Sequence, residues 1–160
     1  MKTAADLTAL VRQRTWDKDV VLWVGSMATL LAAIGKTQHV ILDLDLLDLF
    51  EEERLPIDDE ETRAQLTQGL RNKLKSFQTG PRARTVLVVR SIGLLARYHA
   101  GVREFYEWFC GDFAMVVLAL EPVSESTAWP EDVNCDENRL LKYFTDPGVV
   151  KEAFGESINP

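Results

Sequence analysis

The stretch VVLWVGSMATLLAAIGKTQHVILDLD, residues 20–45, decides the fold. It begins with a short apolar run rich in β-branched residues, which is typical of a strand buried on both faces. Gly25 ends this run, and Ser26 can cap a helix over Met27 to Ile34, where alanine and leucine favour helix. A second apolar run covers His39 to Leu44. The stretch therefore predicts a strand, a helix and a second strand.

Strands and helices continue to alternate along the chain. The remaining predicted elements are an opening amphipathic helix over Ala4 to Val11, a helix from about 59 to 77, a strand over 85–89, a helix from about 102 to 109, a strand over 113–120 and a helical C-terminal segment over about 136–155. Near-continuous apolar strands separated by helices favour a parallel sheet covered on both faces. We predict one three-layer α/β domain over 1–160, with its core at about 19–121 and a mostly parallel sheet of four to five strands.

The tripeptide Gly35-Lys36-Thr37 matches the phosphate-gripping end of a nucleoside-triphosphate loop. Such a loop lies between a strand and the N-terminus of a helix, where backbone amides hold the phosphates and the lysine reaches the terminal phosphate. Here the predicted order is reversed, because a helix precedes the tripeptide and a strand follows it. We interpret the tripeptide as a helix end, with Gly35 in the left-handed C′ conformation.

The place where a phosphate loop belongs is one element earlier, between Val24 and Met27. This segment has the order strand, glycine, helix, but it contains one glycine and no lysine. The third predicted strand ends in Arg90-Ser91, whereas the corresponding strand of a P-loop NTPase ends in acidic residues that hold Mg²⁺. The fold is therefore predicted to be P-loop NTPase-like but degenerate, with no cofactor, no metal and no catalytic residue at that loop.

Three stretches support a resemblance to known proteins: RTVLVVRSIGLLARY at 84–98, FYEWF at 105–109 and FAMVVLALEP at 113–122. They resemble small accessory proteins of BREX phage-exclusion systems, the P-loop-containing BrxF family and the BrxB family. The resemblance covers about 20–122 by layout. It implies a non-catalytic scaffold subunit of a multiprotein defence complex, and no nucleotide-binding residue carries over because the motif of the family is missing here.

An enzymatic alternative rests on ILDLDLLDLF, residues 41–50. This stretch resembles the opening motif of haloacid-dehalogenase-type phosphatases, in which Asp43 would be the nucleophile and Asp45 the acid/base, both ligating Mg²⁺. Leu47 replaces the usual threonine of the motif. A more general metal-dependent phosphoryl-transfer or nuclease site would use Asp43, Asp45, Asp48 and Glu121. A third possibility is a sensor that binds a nucleotide without hydrolysing it.

Charge and hydropathy limit the classes of partner and the location that we expect for this protein. The formal net charge is −7, which disfavours direct nucleic-acid binding outside a complex, since phosphate neutralisation by basic residues supplies most of that affinity. The candidate for a local basic patch comprises Arg71, Lys73, Lys75, Arg82, Arg84 and Arg90, a pattern that also fits the solvated face of a helix followed by a polar turn. No apolar run approaches the roughly 20 residues that a membrane span needs. Asp6 would interrupt the apolar core of a signal peptide, so we expect a cytoplasmic protein. Because that compartment is reducing, we expect its two cysteines, Cys110 and Cys135, to be reduced.

Five residues are candidates for contact with a protein partner. Tyr98, Trp108 and Trp129 are aromatic residues of the kind enriched at interface hot spots. Leu141 and Phe144 belong to an apolar C-terminal segment, which either covers part of the body or docks a partner. The sequence thus favours a non-catalytic interaction module with a protein partner, and leaves its identity open.

Overall fold

The computed structural model describes residues 2–35, 39–49, 59–77, 84–111, 113–120, 137–145 and 149–156. The strands in these residues are β1 (Lys2–Thr3), β2 (Val20–Val24), β3 (Val40–Asp45), β4 (Thr85–Arg90), β5 (Ala114–Leu120) and β6 (Glu152–Gly155). The helices are α1 (Ala4–Val11), α2 (Met27–Ile34), α3 (Asp59–Ser76), α4 (Gly93–Arg97), α5 (Arg103–Trp108) and α6 (Glu137–Thr145), and a 3-10 turn covers Leu46–Leu49. None of the described helices is both long enough and apolar enough to cross a membrane.

The strands form one six-stranded sheet in the order β1-β6-β2-β5-β4-β3. Every neighbouring pair of strands in this sheet runs parallel. The prediction of an α/β fold with a parallel sheet is therefore confirmed. The predicted number of strands was too low, because β1 and β6 both add to the side of the sheet beyond β2.

Apolar side chains on the two faces of the sheet build two separate cores. One face packs against α1 and α2 through buried residues that include Leu7, Leu30 and Ile34. The other face packs against α3 to α6, with Leu70, Phe105 and Phe144 among its buried residues. Strands with apolar side chains on both faces need this double cover, which explains their near-continuous apolar sequences.

The C-terminal segment was predicted as helix throughout, and this is wrong for β6. Phe154 is buried against β2 and α1, and residues 152–155 pair along β2. A short apolar run is ambiguous between helix and strand, and here the unpaired side of β2 offers backbone hydrogen bonds that a single turn of helix cannot match. Lys151 fixes the start of this strand, because its Nζ lies 2.8 Å from the buried carboxylate of Asp19.

Gly35 also differs from the prediction. It caps α2 in the right-handed conformation, with φ of −72°, so a left-handed C′ position does not explain it. A Cβ at this position would lie 2.7 Å from the carbonyl oxygen of Leu31. The glycine is required by this close approach of the backbone to the preceding turn.

β2 and β5 are neighbours in the sheet, but the helices that follow them lie on opposite faces. After β2 the chain passes through α2 on one face of the sheet, and the next described helix after β5, α6, lies on the other face. In open α/β sheets, ligands bind outside the carboxyl ends of the strands at such a topological switch point. The segment that follows Val24 therefore lies where a binding site is expected.

Candidate functional site

Gly25 forms the turn between β2 and α2 at the switch point. Its φ is +152°, which side chains rarely adopt, and its N–H donates to the carbonyl of Leu120 at the end of β5, at 3.1 Å. Ser26 then caps α2, as predicted, with its Oγ accepting from the N–H of Thr29. The indole N–H of Trp23 donates to the Ser26 carbonyl at 3.1 Å. The turn is thus hydrogen-bonded to the end of β5, to the Trp23 side chain of β2 and to the first turn of α2.

The carboxylate of Glu156 closes this turn. Its Oε1 accepts from the Ser26 N–H at 3.0 Å and from the Ser26 Oγ at 2.6 Å. The backbone N–H of Glu156 donates to the carbonyl of Val24 at 3.2 Å, which continues the pairing of β6 with β2. The N-terminus of a helix attracts anions through its free N–H groups and its dipole. A carboxylate of the chain itself therefore lies where an external anion would bind.

Hydrogen bonds explain the charge state of Glu156. The hydroxyl groups of Ser26 and Thr29 and the Ser26 N–H lower the pKa of this carboxyl below its ordinary value of 4.5. A Cβ placed on Gly25 would come within 2.7 Å of the Glu156 Cγ. Glycine at position 25 therefore serves two purposes, the positive φ of the turn and space for the incoming carboxylate.

The sequence of this turn and of the start of α2 contains none of the cationic residues that stabilise a triphosphate. The sequence from Gly25 to Ala32, GSMATLLA, contains neither lysine nor arginine. Phosphoryl transfer relies on positive groups that face the developing charge. The geometry of the turn thus suits an anion, whereas its side chains supply no cation.

The GKT tripeptide lies at the other end of α2. This helix ends at Ile34 with Gly35 as its C-cap, and β3 begins at Val40. The predicted order of helix, tripeptide and strand is confirmed. Lys36 and Thr37 lie outside the described residues.

A second polar cluster lies at the carboxyl ends of β3 and β4. Arg90 donates to both carboxylate oxygens of Asp43, at 3.0 and 2.8 Å. The Ser91 hydroxyl donates to Asp45 at 2.6 Å, and the N–H of Leu47 donates to the same oxygen at 3.0 Å. The pKa of Arg90 is raised, first by its hydrogen bond with Asp43 and then by the charges of Asp43, Asp45 and Asp48. Asp43 is therefore paired with Arg90, whereas Asp45 is held by Ser91 and the Leu47 N–H.

This cluster bears on the enzymatic alternative. A nucleophilic or metal-ligating Asp43 needs free carboxylate oxygens, whereas both oxygens here accept from Arg90. Within the described ranges, no group of three or more His, Cys, Asp or Glu side chains is placed to hold a metal ion. Glu121, the fourth residue of the hypothetical metal site, lies outside those ranges.

Four of the five predicted interaction residues are described, and they lie on the side of the sheet covered by α3 to α6. Tyr98, Trp108 and Leu141 are partly buried and pack against that core, whereas Phe144 is fully buried within it. Of the two predicted alternatives for the C-terminal segment, covering the body of the domain or docking a partner, Phe144 therefore fits the first. Trp129 lies outside the described residues.

Trp108 lies next to cationic side chains of α3. The Lys75 ammonium lies 4.3 Å from the centre of the indole ring, and the guanidinium of Arg71 lies 5.9 Å from it. Arg71 also donates to both oxygens of Glu104, at 3.1 and 3.2 Å. Cation–π contacts of this kind attach the end of α3 to α5.

The predicted basic patch is divided between distant places. Arg84 lies over the ring of Trp16 at 4.3 Å and donates to the carbonyls of Val11 and Gln13, on the α1 side of the sheet. Arg90 is paired with Asp43 at a strand end. Arg82 lies outside the described residues. Arg84 and Arg90, at opposite ends of β4, therefore do not belong to one basic surface.

The thiol of Cys110, the cysteine that the structure describes, is protonated near neutral pH and is therefore a weak nucleophile. Burial raises the pKa of the Cys110 thiol to about 12, and the sulfur donates to the carbonyl of Asp19. Cys110 is a free thiol, as expected. Cys135 lies outside the described residues.

Glu156 is the site residue that sequence reasoning missed. It lies 130 positions from Ser26 along the chain, and no local motif links the two residues. A strand assignment for residues 152–155 would have placed Glu156 beside the end of β2, since parallel strands end at the same edge of a sheet. The incorrect prediction of helix there concealed this connection.

Comparison with protein-family models, curated protein sequences and solved structures finds no match to this chain. The resemblance to BREX accessory proteins thus stays a hypothesis from the sequence.

Proposed function

We propose that this protein is a non-catalytic interaction subunit of a larger assembly, built on an α/β domain whose phosphate-loop position is closed by its own carboxylate. One observation carries the proposal: Glu156 accepts from the backbone N–H and the hydroxyl of Ser26 at the N-terminus of α2. A phosphate group bound at that helix end would use the same N–H and would meet a negative charge.

The absence of a cation in the sequence around Gly25 supports the same conclusion. A nucleotide that displaced Glu156 would find no lysine or arginine between Gly25 and Ala32. It would therefore lose the favourable contacts of the carboxylate without gaining the charge pairing that usually holds a triphosphate. The cost of this exchange disfavours nucleotide binding at the switch point.

The resemblance of the apolar strands to BREX accessory proteins suggests where such a subunit would act, namely within a phage-defence complex in the cytoplasm. In this proposal the protein supplies a binding surface to a catalytic partner. The enzymatic alternative requires Asp43 to exchange Arg90 for a metal ion or a substrate, which leaves the guanidinium without its carboxylate partner.

A thermal-shift titration with ATP, ADP and GTP, each with and without Mg²⁺, tests the proposal. A ligand at about a thousand times its Kd stabilises the folded state by about 4 kcal/mol, which moves the melting temperature by several degrees. We expect no shift in the wild type. A nucleotide shift in the wild type would overturn the proposal in favour of a nucleotide sensor.

Two variants make the titration sharper. Glu156→Gln keeps a side chain of nearly the same shape but removes the charge, so a nucleotide shift seen in this variant alone would show that the carboxylate closes an anion site, as proposed. Asp45→Asn tests the enzyme: a shift with Mg²⁺ in the wild type that this variant abolishes would support a metal-dependent site at the end of β3.

A further inference from the structure

The outer edge of β3 is an exposed strand edge. β3 is the last strand in the sheet and pairs only with β4 among the described strands. The Val40 N–H donates to the Arg84 carbonyl at 2.8 Å, so the backbone groups of alternate residues from Val40 point toward β4. The N–H and C=O groups of Ile41 and Asp43 consequently point outward, as does the N–H of Asp45, and these groups have no backbone partner among the described residues. The Asp45 carbonyl instead begins the 3-10 turn over Leu46–Leu49.

The two edges of the sheet differ in how they are protected. The opposite edge is β1, which has two residues and begins with a lysine, and short or lysine-bearing edges resist further pairing. β3 has six residues, VILDLD, without proline, glycine or lysine. Val40 and Ile41 are 45% and 37% exposed, and Leu47 just beyond the strand is 44% exposed. This edge has the length, the free hydrogen-bonding groups and the apolar side chains to accept another strand.

Charge decides which kind of strand would fit. Asp43 and Asp45 lie on one face at the end of β3, and the cation that the described residues pair with them is Arg90, which binds Asp43. The Asp43 side chain is 55% exposed despite its pairing with Arg90. In a strand added beside β3, the side chains opposite Asp43 and Asp45 would lie on the same face as these carboxylates. Basic side chains at alternate positions would complement them.

A second copy of this chain is a poor occupant of the same edge. Two copies would each bring a net charge of −7. Pairing of β3 with its own copy would place Asp43 and Asp45 of both strands in one short ladder, and like charges across strands are destabilising. A basic segment of a different protein avoids this repulsion.

We infer that the outer edge of β3 binds an extended segment of a partner protein by β-strand addition, and that this segment alternates lysine or arginine with apolar residues. The inference rests on the proposed function and specifies the surface through which the interaction subunit would act. Main-chain hydrogen bonds to Ile41, Asp43 and Asp45 would supply affinity, and the carboxylates would select the basic segment.

Peptide binding to the full chain tests the inference. The probe is a fluorescent peptide of about eight residues, a typical strand length, alternating lysine and valine, and the control alternates glutamate and valine. We expect anisotropy to report binding of the lysine peptide alone, weakened as salt screens the carboxylates. Equal binding of both peptides, or no binding of the lysine peptide, would overturn the inference.

Hydrogen exchange and two matched variants locate the contact. Amides 41, 43 and 45 should gain protection when the lysine peptide is present, whereas amides 40, 42 and 44 should already be protected by the ladder with β4. Ile41→Pro removes one outward N–H without removing a ladder bond, and should weaken binding about tenfold or more. Ile41→Thr keeps that N–H and should weaken binding less, by about threefold.

Controls separate the remaining outcomes. A thermal melt of Ile41→Pro close to that of the wild type shows that the variant folds. Unchanged peptide binding by this variant would contradict the inference, as would a wild-type dimer that becomes a monomer in Ile41→Pro, because the edge would then belong to a second copy. Nucleotide binding would overturn the proposed function without affecting the peptide result, so the two failures are distinguishable.

Discussion

The carboxyl ends of β2 and β3 lie at the same end of the parallel sheet, but the acidic side chains at these two strand ends have different binding partners. At the end of β2, the acid is Glu156, which arrives from 130 positions away to bind the N-terminus of α2. At the end of β3, the acids Asp43 and Asp45 belong to the strand itself, and Arg90 and Ser91 of the neighbouring strand bind them.

The comparison shows that carboxylates at two strand ends of one sheet have different roles. The carboxylate at β2 fills a position that would otherwise attract an external anion, so it closes a site. At β3, Asp43 and Asp45 lie beside an exposed strand edge, and Arg90 is the cation that the described residues pair with them. We therefore expect changes at β2 to affect stability most, and changes at β3 to affect binding.

The largest effect on stability should come from Gly25→Ala. The variant combines the strain of a positive φ with a Cβ that would lie 2.7 Å from the Glu156 Cγ, so the carboxylate must move. We expect a loss of about 3 kcal/mol in the free energy of unfolding, measured by urea denaturation. Gly101→Ala is the matched control, since Gly101 has φ of +72° but no atom within 4 Å of its added Cβ. Its loss should be about 1 kcal/mol. Equal losses in the two variants would show that the contact with Glu156 is unimportant.

A smaller effect should separate the two serines at the strand ends. Ser26→Ala removes the N-cap of α2 and one of the two hydrogen bonds that Glu156 receives from this residue, for a loss of about 1–2 kcal/mol. Ser91→Ala removes only the hydrogen bond to Asp45, for a loss of about 0.5–1 kcal/mol. Urea denaturation of both variants tests this order, and a greater loss in Ser91→Ala would reverse the comparison.

Among these variants, Glu156→Gln should change the free energy of unfolding least at neutral pH. The difference between this variant and the wild type should depend on pH. Because the folded-state pKa of Glu156 lies below 4.5, its contribution to stability is present above that pH and is lost as the pH falls through the folded-state value. The wild type should therefore lose its advantage over Glu156→Gln below about pH 4.5. A series of urea denaturation curves between about pH 7 and pH 3 measures this difference. A constant difference across that range would show that ionised Glu156 does not stabilise the fold.

The sequence alone was sufficient for the elements of the sheet core. The residues at 20–24 and 86–89 are apolar at consecutive positions because both faces of these strands are covered, and this pattern is visible without any tertiary information. The Ser26 cap was equally visible, since capping depends on a hydroxyl and an N–H three residues apart. The reversed order around the GKT tripeptide followed from the same local patterns.

Tertiary structure decided what local patterns leave open. The short run at Glu152–Gly155 becomes a strand because β2 has an unpaired side and β1 lies beyond it. The bonding of Arg90 to Asp43 and of Glu156 to Ser26 depends on which strands are neighbours, and strand order is a long-range property. The sequence by itself determined the order strand, glycine, helix at Gly25 and the lack of a basic residue from Gly25 to Ala32. Only the folded chain placed a carboxylate there, because hydrogen bonds between residues far apart in sequence form only once the sheet brings their strands together.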